Sequence, residues 1–420
     1  MTTAPKENHR SRAVLVTVLA LAFVASLTLR PAHFDPLAQP SPFSCLIDCG
    51  EESIRDLLSN ILLFMPLGWA LSHWMKRRAV LLTCLLATVL IEGLQATVIA
   101  GRDSSLRDIL SNVVGGALGA WLFRHWREIV HTNSRRSAWL GVTGVVVWSG
   151  VLAATAAGNQ LAPSAAPWYG HWTPDLAAYQ RYPGRLLAAE IDGVSPSNGP
   201  IMDPAPLRNA MRRDSFRLTL QVVTGAKPRG QSLILAVIDA NHRAQLLVGQ
   251  ERGSIWLRWR NRFEAWDLRG ITLRLPTFPG STPGSMVLLE SGIEGRNLLL
   301  RATNEGIRSE VRVPQTVGLG WTSMLPFRLG VFNESAVFNP VWLASLVLPL
   351  AYWFGRASPR AGLAMTFAAI ALGLLLIPAL GGAAPTTWPE WIGGVVGGLS
   401  GWSAGARSRL RPTREPRAAP

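Results

Sequence analysis

Apolar and polar positions divide this 420-residue chain into two helical ends and a polar middle. Eight apolar runs approach the ~20 residues that a membrane-crossing helix needs: residues 13–29, 57–74, 79–100, 108–123, 138–157, 336–354, 361–380 and 390–406. They predict a polytopic α-helical membrane protein of about eight transmembrane helices. Five fall in a first domain, residues 1–157, and three in residues 336–406, followed by a basic tail, 407–420.

The connections sort by charge. Lys6, Arg10 and Arg12 precede the first run, Lys76, Arg77 and Arg78 separate the second from the third, and Arg124, Arg127, Arg135 and Arg136 separate the fourth from the fifth. Arg356 and Arg360 separate the sixth from the seventh, and Arg407, Arg409, Arg411, Arg414 and Arg417 follow the eighth. Basic connections on every second loop follow the positive-inside rule. The expectation is a bacterial inner-membrane protein with both termini cytoplasmic and residues 158–335 extracytoplasmic. The first run reads as an anchor, because no small-x-small cleavage site follows it before Arg30 and Pro31.

Residues 158–335 change to period-two alternation. Phe216, Leu218, Leu220 and Val222 make one strand face, while Ile255, Leu257 and Trp259 lie opposite Trp256, Arg258 and Arg260. Further strands are expected at 232–237, 245–249, 271–275, 286–290, 297–301 and 309–313. Many short strands with Gly and Pro turns predict an inserted all-β, jelly-roll-like sandwich domain. Asp239 and Asn241 read as a hairpin turn, not as a calcium loop.

Composition agrees with a membrane class: only 16% of residues are charged and mean hydropathy is +0.21. The net charge of +15 does not indicate nucleic acid, because the basic residues lie between apolar runs and not on one soluble module. Three cysteines give no zinc or disulfide framework. Cys45 and Cys49 are either a local disulfide or two free thiols, and Cys84 packs inside an apolar run. Neither a metal nor a cofactor is implied, and no oligomeric partner is indicated.

The chemistry concentrates around residues 91–121. Glu92 and Gln95 share one helix face near the end of one run, Asp108 and Asn112 share one at the start of the next, and Arg102 and Arg107 flank Asp108. Arg107-Asp108-Ile109-Leu110-Ser111-Asn112 repeats Arg55-Asp56-Leu57-Leu58-Ser59-Asn60, a shift of 108 − 56 = 52 positions. A weaker third copy has Glu390 for Asp108 and Gly394, Gly397, Gly398 and Gly401 for Asn112, Gly115, Gly116 and Gly119, a shift of 390 − 108 = 282. The alternating topology gathers these polar groups at the outer surface. Glycines at four-residue intervals, Gly393 to Gly405, predict close helix packing, with the Gly115 and Gly119 helix as partner.

At Asn60, Phe64-Met65-Pro66-Leu67-Gly68, Glu92, Gln95, Arg102, Asp108, Asn112, Gly115 and Gly119 the chain resembles the VanZ-like family over roughly its first third. The resemblance implies a cell-envelope membrane protein linked to low-level teicoplanin resistance. The polar segment is similar, more weakly, to a laminin-G or concanavalin-like fold at Gln245-Leu246-Leu247-Val248-Gly249-Gln250 and Ser254-Ile255-Trp256-Leu257-Arg258. That second resemblance implies glycan binding.

Ionisable residues inside membrane spans are functional candidates by default. The set Asp56, Asn60, Glu92, Gln95, Arg102, Arg107, Asp108 and Asn112 either binds a ligand or holds the helices in register, with Asp56 and Asp108 then acting as helix caps. Helix N-termini beside arginines suit an anion. The leading expectation is therefore an anionic membrane lipid, lipid-linked precursor or glycopeptide-like ligand bound at this cluster, with the sandwich domain docking cell-wall glycan nearby. An intramembrane enzyme using Glu92 or Asp108 as general acid or base is the alternative, although no His, Ser or Cys nucleophile pairs with the cluster. A transporter ranks last, since the two close copies are parallel and not inverted.

Overall fold

The computed structural model describes residues 6–29, 53–99, 105–176, 179–213, 215–279, 282–324 and 335–410. Arg102, Cys45 and Cys49 lie outside the described residues. The chain separates into two compact units, one built on Met1–Val130 and the other on His131–Ala265, Gly270–Ser323 and the C-terminal helices.

The first unit is helical: α1 (Lys6–Thr28), α2 (Ser53–Leu71), α3 (Arg77–Thr97) and α4 (Leu106–Val130). Val24, Phe64, Leu67, Leu71, Val80 and Cys84 make its apolar core. On α3 the opposite face is equally apolar, with Leu82, Leu86 and Leu90 all more than half exposed, an arrangement that suits lipid and not water. Helices α2 and α4 touch backbone to backbone. A Cβ on Gly115 would stand 2.3 Å from the Ile61 carbonyl oxygen, and one on Gly119 would stand 2.1 Å from that of Met65. Glycine is therefore obligatory at this approach.

The second unit begins with α5 (Ser134–Gly158), whose N-cap Asn133 accepts the Arg136 amide at 2.8 Å. The polar middle follows as β1 (Trp168–Trp172), β2 (Arg185–Ile191), β3 (Gly199–Ile201), α6 (Ala205–Met211), β4 (Phe216–Val223), β5 (Gln231–Asp239), β6 (Ala244–Glu251) and β7 (Ser254–Trp259). After α7 (Arg262–Ala265) come β8 (Thr272–Leu275), β9 (Met286–Glu294), β10 (Asn297–Asn304), β11 (Ile307–Pro314) and a 3₁₀ segment, Val317–Ser323. Helices α8 (Ser335–Ala357), α9 (Pro359–Ala371), a π turn (Leu372–Leu376), α10 (Ile377–Gly381) and α11 (Trp388–Leu410) complete it.

Two expectations are corrected here. Among the described residues five helices, not about eight, are long and apolar enough to cross a membrane: Ser53–Leu71, Arg77–Thr97, Ser134–Gly158, Ser335–Ala357 and the continuous Pro359–Gly381. The other three runs fail for different reasons. The apolar part of α1 is only Ala13–Thr28. Helix α4 carries Arg107, Asp108, Arg124, Arg127 and Glu128, and α11 is diluted by glycine and ends in arginines. A multi-pass membrane protein stands, without the alternating count that fixed its termini.

The second correction concerns the strands, which are open sheets and not a closed barrel or jelly-roll-like sandwich. One sheet runs β3-β1-β5-β6-β7-β8 and the other β11-β10-β9-β4-β2. Alternation located strands well, since Phe216, Leu218, Leu220 and Val222 are buried as expected. Closure depends on which edges meet, and a period-two pattern carries no information about that. Strands β5 and β6 are buried on both faces, so their apolar content is near continuous and their register unreadable from alternation. Asp239 does turn the β5–β6 hairpin: its Oδ1 accepts the Asn241 and Arg243 amides at 2.9 Å.

Helix α11 packs on α8, not on the Gly115 helix. Cβ atoms on Gly393, Gly397, Gly401 and Gly405 would meet the backbone of Pro340, Ala344, Leu348 and Tyr352. Equal spacing on both helices leaves a close seam about three turns long, and a glycine stripe of itself does not select which smooth helix fills it. Trp148 of α5 completes that helical core by donating from Nε1 to the Ala369 carbonyl at 3.0 Å.

Candidate functional site

In the first unit the polar residues are joined through a serine. The Ser105 amide donates to Glu92 Oε2 at 3.0 Å, the Asp108 amide donates to Ser105 Oγ at 3.1 Å, and Asn60 Nδ2 donates to Asp108 Oδ1 at 2.7 Å. One chain of bonds thus ties α3 to the first turn of α4 and that turn to α2. Ser105, only 3% exposed, is the N-cap of α4, and Asp108 is its third helical residue. Glu92 satisfies the cap amide that a capping-box partner would otherwise take.

The remaining residues split. Gln95 Nε2 donates to the Thr28 carbonyl at 3.0 Å, a bond to α1 that keeps it out of the chain. Asn112 Nδ2 donates to Thr88 Oγ1 of α3 at 2.8 Å, but its Oδ1 is buried with no partner among the described residues. Asp56 is ion-paired with its neighbour Arg55 and is partly exposed. Arg107 is the anomaly. Its side chain is 8% exposed, it makes no hydrogen bond or ion pair among the described residues, and its Nε is buried unsatisfied. Asp108 beside it supplies only long-range attraction.

Helices α2, α3 and α4 therefore carry the cluster, and a single family model spans them. Residues 7–128 match the model described as VanZ/LLP1. This part of the chain is a VanZ/LLP1 domain. No curated protein and no solved structure matches the chain. Nothing supports a laminin-G or concanavalin-like domain in the polar middle: the VanZ/LLP1 match ends at residue 128, and the sheets beyond it are open. Among the described residues no group of three or more His, Cys, Asp or Glu side chains is placed to hold a metal.

Ser105 carried a sequence signal that polarity alone did not raise. Ser105-Leu106-Arg107-Asp108 is a capping box, and so are Ser53-Ile54-Arg55-Asp56 and Thr387-Trp388-Pro389-Glu390. They keep the repeat shifts, 105 − 53 = 52 and 387 − 105 = 282. The VanZ/LLP1 domain thus has a counterpart in the second unit. There Glu390, fully buried, accepts Asn339 Nδ2 of α8 at 2.7 Å and the Thr387 amide at 2.8 Å, as well as the Thr316 hydroxyl. Asn339 in turn accepts Trp321 Nε1 at 2.7 Å.

The packing repeats too. Gly116 faces Cys84 of α3, and Gly398 (116 + 282) faces Ile370 of α9. Gly115 faces Ile61 and Gly397 faces Ala344, a shift of 344 − 61 = 283 on the facing helix. In both units a first-turn carboxylate of a glycine-bearing helix accepts an asparagine of the helix it packs against. The difference is occupancy. A Cβ on Gly318 would stand 2.1 Å from Glu390 Oε1, so the 3₁₀ segment fills the space over the second carboxylate.

Proposed function

We propose that the VanZ/LLP1 domain binds the anionic head group of an envelope lipid, lipid-linked precursor or glycopeptide-like ligand at the cluster of Glu92, Ser105, Arg107, Asp108 and Asn112. The observation that carries this reading is Arg107, a buried guanidinium with no hydrogen bond or ion pair among the described residues. Burying a cation without an anion is costly, and more so at membrane depth. A phosphate or carboxylate would supply charge-assisted bonds there. The free Asn112 Oδ1 offers an acceptor for a hydroxyl or amide of the same ligand.

Binding is preferred to catalysis because both carboxylates already have structural work: Glu92 holds the Ser105 amide and Asp108 holds Asn60. A general acid or base would have to release such a bond in each turnover.

The test is mass spectrometry of lipids that copurify with the full chain in mild detergent, comparing wild type with Arg107→Ala and Glu92→Gln. One anionic lipid enriched in wild type and reduced about tenfold in Arg107→Ala is the expected result, the size of one charge-assisted contact. Accumulation of that lipid in Glu92→Gln would move catalysis ahead of binding. No enrichment in any form would leave the cluster as helix-holding architecture.

A further inference from the structure

The second unit contains a cavity of about 590 Å³ at the ends of two candidate spans. It lies where α5 ends at Gly158 and where the Pro359–Gly381 span ends, and Gln160 Nε2 donates to the Gly381 carbonyl at 3.4 Å to join them. Its lining therefore lies next to the ends of two candidate spans. Leu380, 79% exposed, precedes the lining residue Gly382 by two positions and continues the apolar surface of its span.

The lining is strongly basic. Arg212 and Arg213 follow α6, Arg262 opens α7, and Arg296 sits in the β9–β10 hairpin, and no carboxylate is among the lining residues. Among the described residues the guanidinium groups of Arg212 and Arg262 make no hydrogen bond or ion pair. Arg213 has only a 4.0 Å approach to Asp192, at the distance limit of an ion pair and from a largely exposed guanidinium, which counts for little. Arg296 donates from one terminal nitrogen to the Ala383 carbonyl at 2.9 Å and keeps its remaining donors.

A second feature faces the same space. Asn159 is 4% exposed, its Nδ2 donates to the Thr316 carbonyl at 3.4 Å, and its Oδ1 is buried without a partner among the described residues. A buried amide oxygen left unpaired costs free energy unless a donor reaches it. In a cavity otherwise rich in cationic donors, it is the acceptor for a ligand hydroxyl.

We propose that this cavity is a lipid site, distinct from the VanZ/LLP1 cluster, that takes the phosphate-bearing, hydroxylated head group of a membrane lipid. Arginines recognise phosphate through paired N–H groups, Asn159 accepts a head-group hydroxyl, and the acyl chains remain in the bilayer beside Leu380. The proposal does not depend on the reading given for Arg107.

The experiment uses the full chain in detergent micelles doped with dioleoyl-phosphatidylglycerol or with dioleoyl-phosphatidylcholine, counting retained lipids by native mass spectrometry. Wild type is expected to retain phosphatidylglycerol in preference to phosphatidylcholine. Arg212→Ala with Arg262→Ala is expected to lose one equivalent, with a drop in affinity of about tenfold or more. Both residues are exposed, so the fold is retained and an unchanged melting temperature verifies it. Arg107→Ala should leave this equivalent in place, which separates the two sites. Asn159→Leu should weaken phosphatidylglycerol retention as well. Equal retention of both lipids, or no change in the double variant, overturns the proposal. Displacement of the lipid by millimolar glycerol 1-phosphate overturns the lipid assignment in favour of a soluble phosphate ester.

Discussion

Single residues in this protein gain their character from what stands beside them. Glu310 of β11 shows it outside the membrane. The hydrogen bond from Arg308, and behind it that from Arg301, holds its carboxyl below the ordinary carboxylate range against the opposing effect of partial burial. A carboxyl with a lowered folded pKa contributes stability above its unfolded pKa of about 4.3, and that contribution is lost as pH falls through the folded value. Glu310→Gln removes it at every pH. In thermal unfolding followed from pH 6 to pH 3, the variant should start lower and lose less on acidification than wild type; parallel curves would show that the arginine contacts do not hold in solution. Arg107 and Asn159 make the complementary point, since each is defined by a partner it lacks. Sequence marked Arg107 as a candidate because it flanks Asp108, but not that it would be buried. Asn159 was not marked at all: a lone asparagine after an apolar run has no sequence signature of burial.

At the scale of elements, the same device appears twice with opposite surroundings. Asn60 on α2 bonds Asp108 and Asn339 on α8 bonds Glu390, both at 2.7 Å. Asp108 is half-buried at the start of α4, whereas Glu390 is fully buried beneath the 3₁₀ segment. Removing a partner from a buried carboxylate leaves it desolvated and unpaired, whereas a partly exposed one recovers water. Asn339→Ala should therefore destabilise the protein by about 3 kcal/mol and Asn60→Ala by about 1 kcal/mol, read from melting in detergent. Equal losses would show that the second carboxylate is not closed off. The repeat was visible in the spacing of acids and glycines, and the capping boxes extend it. The helix against which α11 packs was not visible, because small residues define a surface that several helices fit and only the three-dimensional path of the chain selects among them.

For the molecule as a whole, the loops still argue an orientation after the number of spans has changed. Lys76, Arg77 and Arg78 form a compact basic turn between α2 and α3, which the positive-inside rule assigns to the cytoplasm. The proposed topology puts residues 158–335 on the other side, which requires α4 to cross in addition to α3 and α5, since those two candidate spans alone return the chain to the side of that turn. With Cys45, Cys49 and Cys84 replaced, a membrane-impermeant maleimide should label His242→Cys in intact cells and His73→Cys only after permeabilisation. Both positions are exposed. Labelling of both only after permeabilisation would show that α4 does not cross and would place residues 158–335 in the cytoplasm.

Sequence alone determined that this is a multi-pass membrane protein with a VanZ-like beginning and a strand-rich middle. Those properties are written in local composition and period: apolar run length, the spacing of Asn60, Glu92, Asp108, Asn112, Gly115 and Gly119, and the two-residue alternation of Phe216 to Val222. Tertiary structure decided which runs are apolar enough along a whole helix to cross, how the strand edges are left open, and which polar groups are paired. Ser105 bridging Glu92 to α4, Thr316 and Asn339 meeting over Glu390, and four arginines converging on one cavity all join residues from different elements. Pairing of that kind depends on distances across the fold, and no repeat along the chain encodes them.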